Sequence, residues 1–139
     1  MTDMQLSKTD FLQYLNCPKS LWLRKHRAEL YPAGEWSDYA QKLALEGSKV
    51  EGYVQEFLTA QPDADTYTFQ AKFRTSRGLY AKADVIRDNR NGTIDLYEVK
   101  SSTSVKKEGQ HNHLQDATFQ KVVAQESGQQ VSRVFIIHL

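Results

Sequence analysis

Cysteine is almost missing: Cys17 is the only one among 139 residues. That excludes an intramolecular disulfide, and it excludes a zinc or iron–sulfur site made from this chain's thiolates alone. Long apolar runs are missing too. None approaches the roughly 18 residues of a membrane span, so no membrane partner is expected. Neither sign of charge dominates, since 18 Lys+Arg stand against 17 Asp+Glu for a formal net charge of +1. The balance excludes a histone-like polycation and an acidic tail protein. It leaves room for a local basic stripe that meets nucleic acid. The first ten residues lack the basic-then-apolar build of a secretory leader, and the expectation is a soluble cytoplasmic domain. With 40% hydrophobic residues, the chain has material for one domain and one modest core.

The few prolines and glycines mark the joints. Ser7 is placed to cap a helix, with Asp10 at the third helical position to answer it and Leu6 and Phe11 spaced for a hydrophobic staple. Pro18 breaks that helix at Asn16-Cys17 and opens a second one to about His26, whose end is crowded by Arg24, Lys25 and Arg27. Tyr31-Pro32-Ala33-Gly34 reads as a turn or loop. A long helix is predicted from about Ser37 to Thr59 on the recurrence of Leu43, Val50, Val54 and Phe57. The period then drops to two. Tyr67, Phe69, Ala71 and Phe73 alternate with polar residues in a first strand, and Leu79–Arg87 and Thr93–Lys100 form a second and third. Asn91-Gly92 favours a tight reversal between the last two. Ser101–Gly109 is polar and reads as a loop, His113–Glu126 as a helix stopped by Gly128, and Val131–Ile137 as a buried-type strand.

This order brings two acids and a lysine together. Asp84 and Glu98 lie on strands that should pair, and Glu98 and Lys100 project from one face because they are two apart. Two close carboxylates repel, and a shared cation relieves them. Magnesium or manganese suits such a site with oxygen ligands, and a neighbouring lysine can orient water or stabilise phosphoryl charge. A solvated pair on an open sheet face is the plain alternative.

Asp84, then 13 residues, then Glu98-Val99-Lys100 on a strand pair framed by helices resembles the PD-(D/E)XK nuclease superfamily. It is similar in particular to the RecB-like branch, which includes the CRISPR-associated RecB-like exonucleases. Leu6–Phe11, Tyr14-Leu15-Asn16-Cys17-Pro18-Lys19 and Leu21-Trp22-Leu23 look like that branch's N-terminal signature. Ala83-Asp84-Val85-Ile86, Tyr97–Ser102 and Asp116–Gln120 look like its aspartate, Glu-x-Lys and glutamine motifs. The resemblance implies an α/β fold with a restriction-endonuclease-like core, α-β-β-β-α-β, in which helices flank a mixed central sheet. A helical hairpin would occupy 1–35 and the nuclease core 36–139. It implies a metal-dependent deoxyribonuclease acting on single- or double-stranded DNA in processing, repair or defence. Asp84 and Glu98 would be metal ligands with the Val99 carbonyl, Lys100 the catalytic lysine, and Gln120 a helper near the site. Glu51, four residues after Gly47, would be a ligand from the preceding helix.

Two departures stand out. Members with an iron–sulfur cluster use one N-terminal and three C-terminal cysteines, and Cys17 matches only the first. A cluster from this chain alone is excluded, and Cys17 is expected to be a small buried residue. The family's tyrosine four residues after the glutamine is Ala124 here. Members are often longer than this chain, which is expected to be a minimal nuclease or one domain of something larger.

Ser101, Ser102, Lys106 and Lys107 are candidates for meeting phosphates. His111 and His113 are expected to be solvated or to face DNA, although His113 shares a helix face with Asp116 and Gln120 and so could approach the site. Trp22, Trp36 and Tyr39 are expected in packing rather than as base-stacking platforms. The readings from other classes are a DNA-binding or assembly module on a nuclease fold, and a protein-interaction domain with no nucleic-acid role.

Overall fold

The computed structural model describes residues 4–31, 38–109 and 112–139. The chain is an α/β protein. Two N-terminal helices, α1 (Lys8–Asn16) and α2 (Pro18–His26), precede the long α3 (Asp38–Thr59). Strands β1 (Tyr67–Arg74), β2 (Tyr80–Asp88) and β3 (Ile94–Val99) follow, then α4 (His113–Glu126) and β4 (Val131–Ile137). Among the described residues, no helix is long and apolar enough to cross a membrane. Pro32–Gly34, Trp36, Ser37 and His111 lie outside the described residues, so the expectations that fall on them end there.

The capping residues fasten α1. The Ser7 backbone N–H donates to Asp10 Oδ2 at 2.8 Å, and Ser7 Oγ accepts from Asp10 N. Asp10 is buried and ion-pairs with Arg24 and Lys25 from α2, so one carboxylate closes the helical hairpin. Pro18 stands in the first turn of α2, where its missing N–H costs nothing. Cys17 is exposed, contrary to the expectation of a buried thiol. It is the extended residue between the helices, serving as C-cap of one and N-cap of the next, and its backbone rather than its side chain is used there. Trp22 is also half exposed, tilted against His26, and Tyr39 is exposed, so neither packs inside as expected.

The mixed sheet runs in the order β1-β2-β3-β4, antiparallel between the first two pairs and parallel between β3 and β4. The parallel step needs a crossover, and α4 supplies it. Leu96, Phe119, Val123 and Ala124 form the core with Phe73, and Ala81 and Ala83 offer small side chains on which they pack. Fully burying a side chain the size of Leu96 contributes about 1.5–3 kcal/mol. Phe11 stacks on Phe119 at 5.1 Å and ties α1 to α4. Leu6 joins the sheet region, donating to Gly78 O and accepting from Tyr80 N, both at 2.8 Å. Gly78 cannot be replaced cheaply: its φ is +91, and a Cβ there would lie 2.4 Å from Met4 O.

Three features depart from simple periodicity. The β2–β3 reversal spans Asn89–Thr93 rather than a two-residue turn. Asn91 Oδ1 accepts from Thr93 N, and both Arg90 (φ +58) and Gly92 (φ +84) are left-handed. On α3, Val50 and Leu58 are buried but Leu43 and Phe57 are exposed. The helix lies along β1 and β3 on a narrower stripe than the apolar spacing suggests. Finally, β1 changes faces. Tyr67 meets Tyr97, whereas Ala71 and Phe73 pack in the cluster of Leu96. Strict alternation would put all three on one face. The change falls at Gln70, whose φ is +56.

Candidate functional site

The site grows from that irregularity. Gln70 and Asp84 face each other between the registered pairs Phe69–Val85 and Ala71–Ala83. A left-handed glutamine inside a strand costs backbone energy, and such strain is tolerated where surrounding structure enforces it. Gln70 Nε2 donates to Glu51 Oε2 at 3.3 Å and holds the α3 carboxylate over this point of the sheet.

Beyond the pair Val85–Tyr97, the same register sets Asp84 opposite Glu98. Asp84 does not point away: its Oδ2 accepts the Val99 backbone N–H at 2.8 Å, in place of a ladder bond. Burial pushes the Asp84 carboxyl up to about 7, Glu98 adds repulsion, and the Val99 N–H and Lys8 only partly oppose them.

Glu98 is 3% exposed and fully engaged. Oε1 accepts from Lys8 Nζ at 2.8 Å and lies 3.0 Å from Lys100 Nζ, and Oε2 accepts from Gln120 Nε2. Burial alone would raise the Glu98 carboxyl, but Lys8 and Lys100 outweigh it and hold it below the usual range. Lys100 also bonds Asp116 on α4, and Glu98 and Asp116 together keep its ammonium above the ordinary lysine value despite burial.

Gln120 is thus no surface amide but a buried donor, 1% exposed. His113 is buried rather than solvated, which corrects the expectation for it. Its Nδ1 accepts from Lys106 N at 3.0 Å, and burial together with Lys100 holds the ring below the usual histidine range. Asn112, on which no role was predicted, caps α4 by accepting from Leu114 N and Gln115 N.

A groove of about 430 Å³ opens beside Lys100. Ser101, Ser102 and Lys106 line it with His113 and Asp116, and Tyr39 and Leu43 form an apolar wall. Lys107 is exposed on the adjoining loop, and its backbone carbonyl accepts from Asn112. Ala124 is fully buried in the core, so the position four residues after the glutamine faces the core and not this groove.

Two members of the site carry little signal in the sequence. Lys8 sits in the Leu6–Phe11 signature, but nothing in its spacing points to a partner 90 residues away. Asp116 opens the Asp116–Gln120 motif and shares a helix face with Gln120, but neither signal points to Lys100 as its partner. Counted together, Glu51, Asp84, Glu98 and Asp116 bring four formal negative charges against the two of Lys8 and Lys100. The imbalance is two charges, and repulsion from Glu98 and Glu51 adds to burial in raising the Asp84 carboxyl. A divalent cation would cancel it, so the donor set fits a hard metal bound by oxygen. Among the described residues no three such side chains stand as a ready-made cage.

Comparison with protein-family models and with curated proteins gives no match.

Proposed function

We propose that this chain is a metal-dependent deoxyribonuclease domain with a restriction-endonuclease-like core, of the RecB-like PD-(D/E)XK type. The observation that carries the reading is the opposed pair of half-buried Asp84 and buried Glu98, one carboxyl raised to about 7, beside Lys100 just past the end of the Glu98 strand. The element order α3-β1-β2-β3-α4-β4 agrees with it.

Glu51, Asp84, Glu98 and the Val99 carbonyl oxygen would hold magnesium or manganese, which when bound polarises a phosphate and lowers the pKa of a water. The chain's own groups do the rest. Gln120 keeps the Glu98 carboxylate in one orientation through Oε2. Lys100 keeps its proton and offers positive charge to phosphoryl oxygens. Ser101, Ser102 and Lys106 border the groove through which a backbone would run, with Lys107 outside it. Hydrolysis joins the oxygen of water to phosphorus and breaks one P–O ester bond, and the leaving oxygen ends protonated.

One observation favours a second reading, a non-catalytic DNA-binding or assembly module: both Glu98 oxygens are already met by side chains of this chain. One experiment separates the two. The purified protein and its Lys100→Ala variant are incubated with end-labelled single- and double-stranded DNA in manganese, magnesium or chelator. The nuclease reading expects metal-dependent cleavage that the variant loses while still binding metal. No cleavage under any condition, with DNA still bound, would transfer the assignment to the binding module.

A further inference from the structure

We propose that Lys8 is a positioning residue of this site. Its ammonium competes with a divalent cation for Glu98, so a helix outside the sheet sets how tightly the site takes its metal. The inference rests on the metal-dependent reading above.

Lys8 Nζ donates to Glu98 Oε1 at 2.8 Å and stands 4.0 Å from Asp116 Oδ2. Lys100 Nζ approaches the same two oxygens. Two ammonium groups at one acceptor repel, and the arrangement holds only where the surrounding negative charge exceeds what one of them balances. The two lysines are held differently. Lys100 continues β3, with its backbone N–H bonded to Ile137 O at 2.8 Å and its ammonium bonded to Asp116. Lys8 reaches in from the first turn of α1, and Glu98 is its nearest charge partner.

The backbone of Lys8 is nonetheless fixed. Leu6 is bonded to Gly78 and Tyr80, Ser7 and Asp10 close the capping box, and Phe11 stacks on Phe119. Three independent attachments within six residues therefore deliver this ammonium to Glu98. A cation that binds Glu98 must displace it or face it across one carboxylate, and either lowers affinity. Displacement is the easier path, because the four-carbon stem can turn its head to water. The alternative is an ion pair that only adds stability, which would leave metal affinity where it was.

Calorimetry with Mn²⁺ on the full chain decides between them, using Lys8→Met, which keeps an apolar stem, and Lys8→Arg, which keeps a cation. Lys8→Met is expected to bind Mn²⁺ on the order of tenfold more tightly than the wild type, and Lys8→Arg to stay within about twofold of it. Thermal unfolding in chelator checks that each variant is folded, and Lys8→Gln replaces Lys8→Met if that one is not. Unchanged or weaker Mn²⁺ binding in the folded neutral variant overturns the inference and leaves the nuclease reading standing. No Mn²⁺ binding by either wild type or neutral variant overturns both.

Discussion

Strand β3 buries two carboxylates, and they have different company. Asp95 is fully buried and accepts from Asn89 Nδ2, from the Arg133 backbone N–H and from the Arg133 guanidinium, at 3.0–3.1 Å. Each of its bonds is a donor, and they close one corner of the sheet between β3 and β4. Glu98, three residues on and therefore on the other face, is equally well bonded, but it has Asp84 across from it and Glu51 nearby. Burial and full satisfaction are common to both, so neither marks a functional site. What separates them is shared negative charge, which at Glu98 adds to burial in raising the carboxyl of its neighbour Asp84.

The sharpest way to break this contrast is Asp84→Asn. On the proposed nuclease reading, metal-dependent cleavage should fall by at least about a thousandfold in the end-labelled DNA assay, because one proposed ligand and its charge are lost. The same variant tests the electrostatics without any metal. The Asp84 carboxyl moves from its ordinary value of 3.8 to about 7 in the fold. Between those values the folded chain keeps a proton that the unfolded chain has released. Stability therefore falls as pH rises from about 4 to about 7, and the asparagine variant should lack that loss. Glu98, held below its ordinary value, acts at the acid end instead, contributing stability that is lost as pH falls. Urea unfolding at pH 5 and pH 8 should show the variant gaining on the wild type at the higher pH. An equal change in both proteins would mean that Asp84 is not strained by its neighbours.

The fold was largely readable because its signals are local. Pro18, the Ser7–Asp10 box and the change of period after Pro62 each act within a few residues. The Asp84–Glu98 pairing was readable for the same reason, since one short reversal joins their strands. What stayed hidden depends on long separations or on backbone geometry. Lys8 finds Glu98 through the way α1 packs, and no spacing encodes that. The face change at Gln70 needs a positive φ at a residue type that rarely adopts one, so strict alternation looked sound through Phe73. Cys17 looked apolar and proved exposed because its place in the helix break uses only its backbone. Asp95 carried no motif, and its charge partner, Arg133, lies 38 residues away.

Asp95 offers the converse test. Asp95→Ala should cost about 2–4 kcal/mol in urea unfolding, because it takes the acceptor from the Arg133 backbone N–H and guanidinium, leaves the Asn89 amide only Thr93, and opens a small cavity. Mn²⁺ affinity measured on the folded fraction should not change. A variant that loses stability and metal affinity together would couple the two faces of β3 and dissolve the distinction between them.

The smallest expected effect comes from Gln120→Leu, and it asks whether the Glu98 carboxylate is poised for a cation. Leucine removes the donor to Oε2 but leaves both ammonium groups at Oε1, so the charge stays balanced while one buried oxygen loses its partner. The cost in chelator should be roughly 1–2 kcal/mol, the value of one buried hydrogen bond. If Oε2 also faces the metal position, saturating Mn²⁺ gives that oxygen a new partner and the deficit should shrink. Urea unfolding of wild type and variant, with chelator and with Mn²⁺, measures the difference directly. A deficit of the same size in both conditions would place Oε2 away from the ion and leave only Oε1, which Lys8 already holds, to bind it.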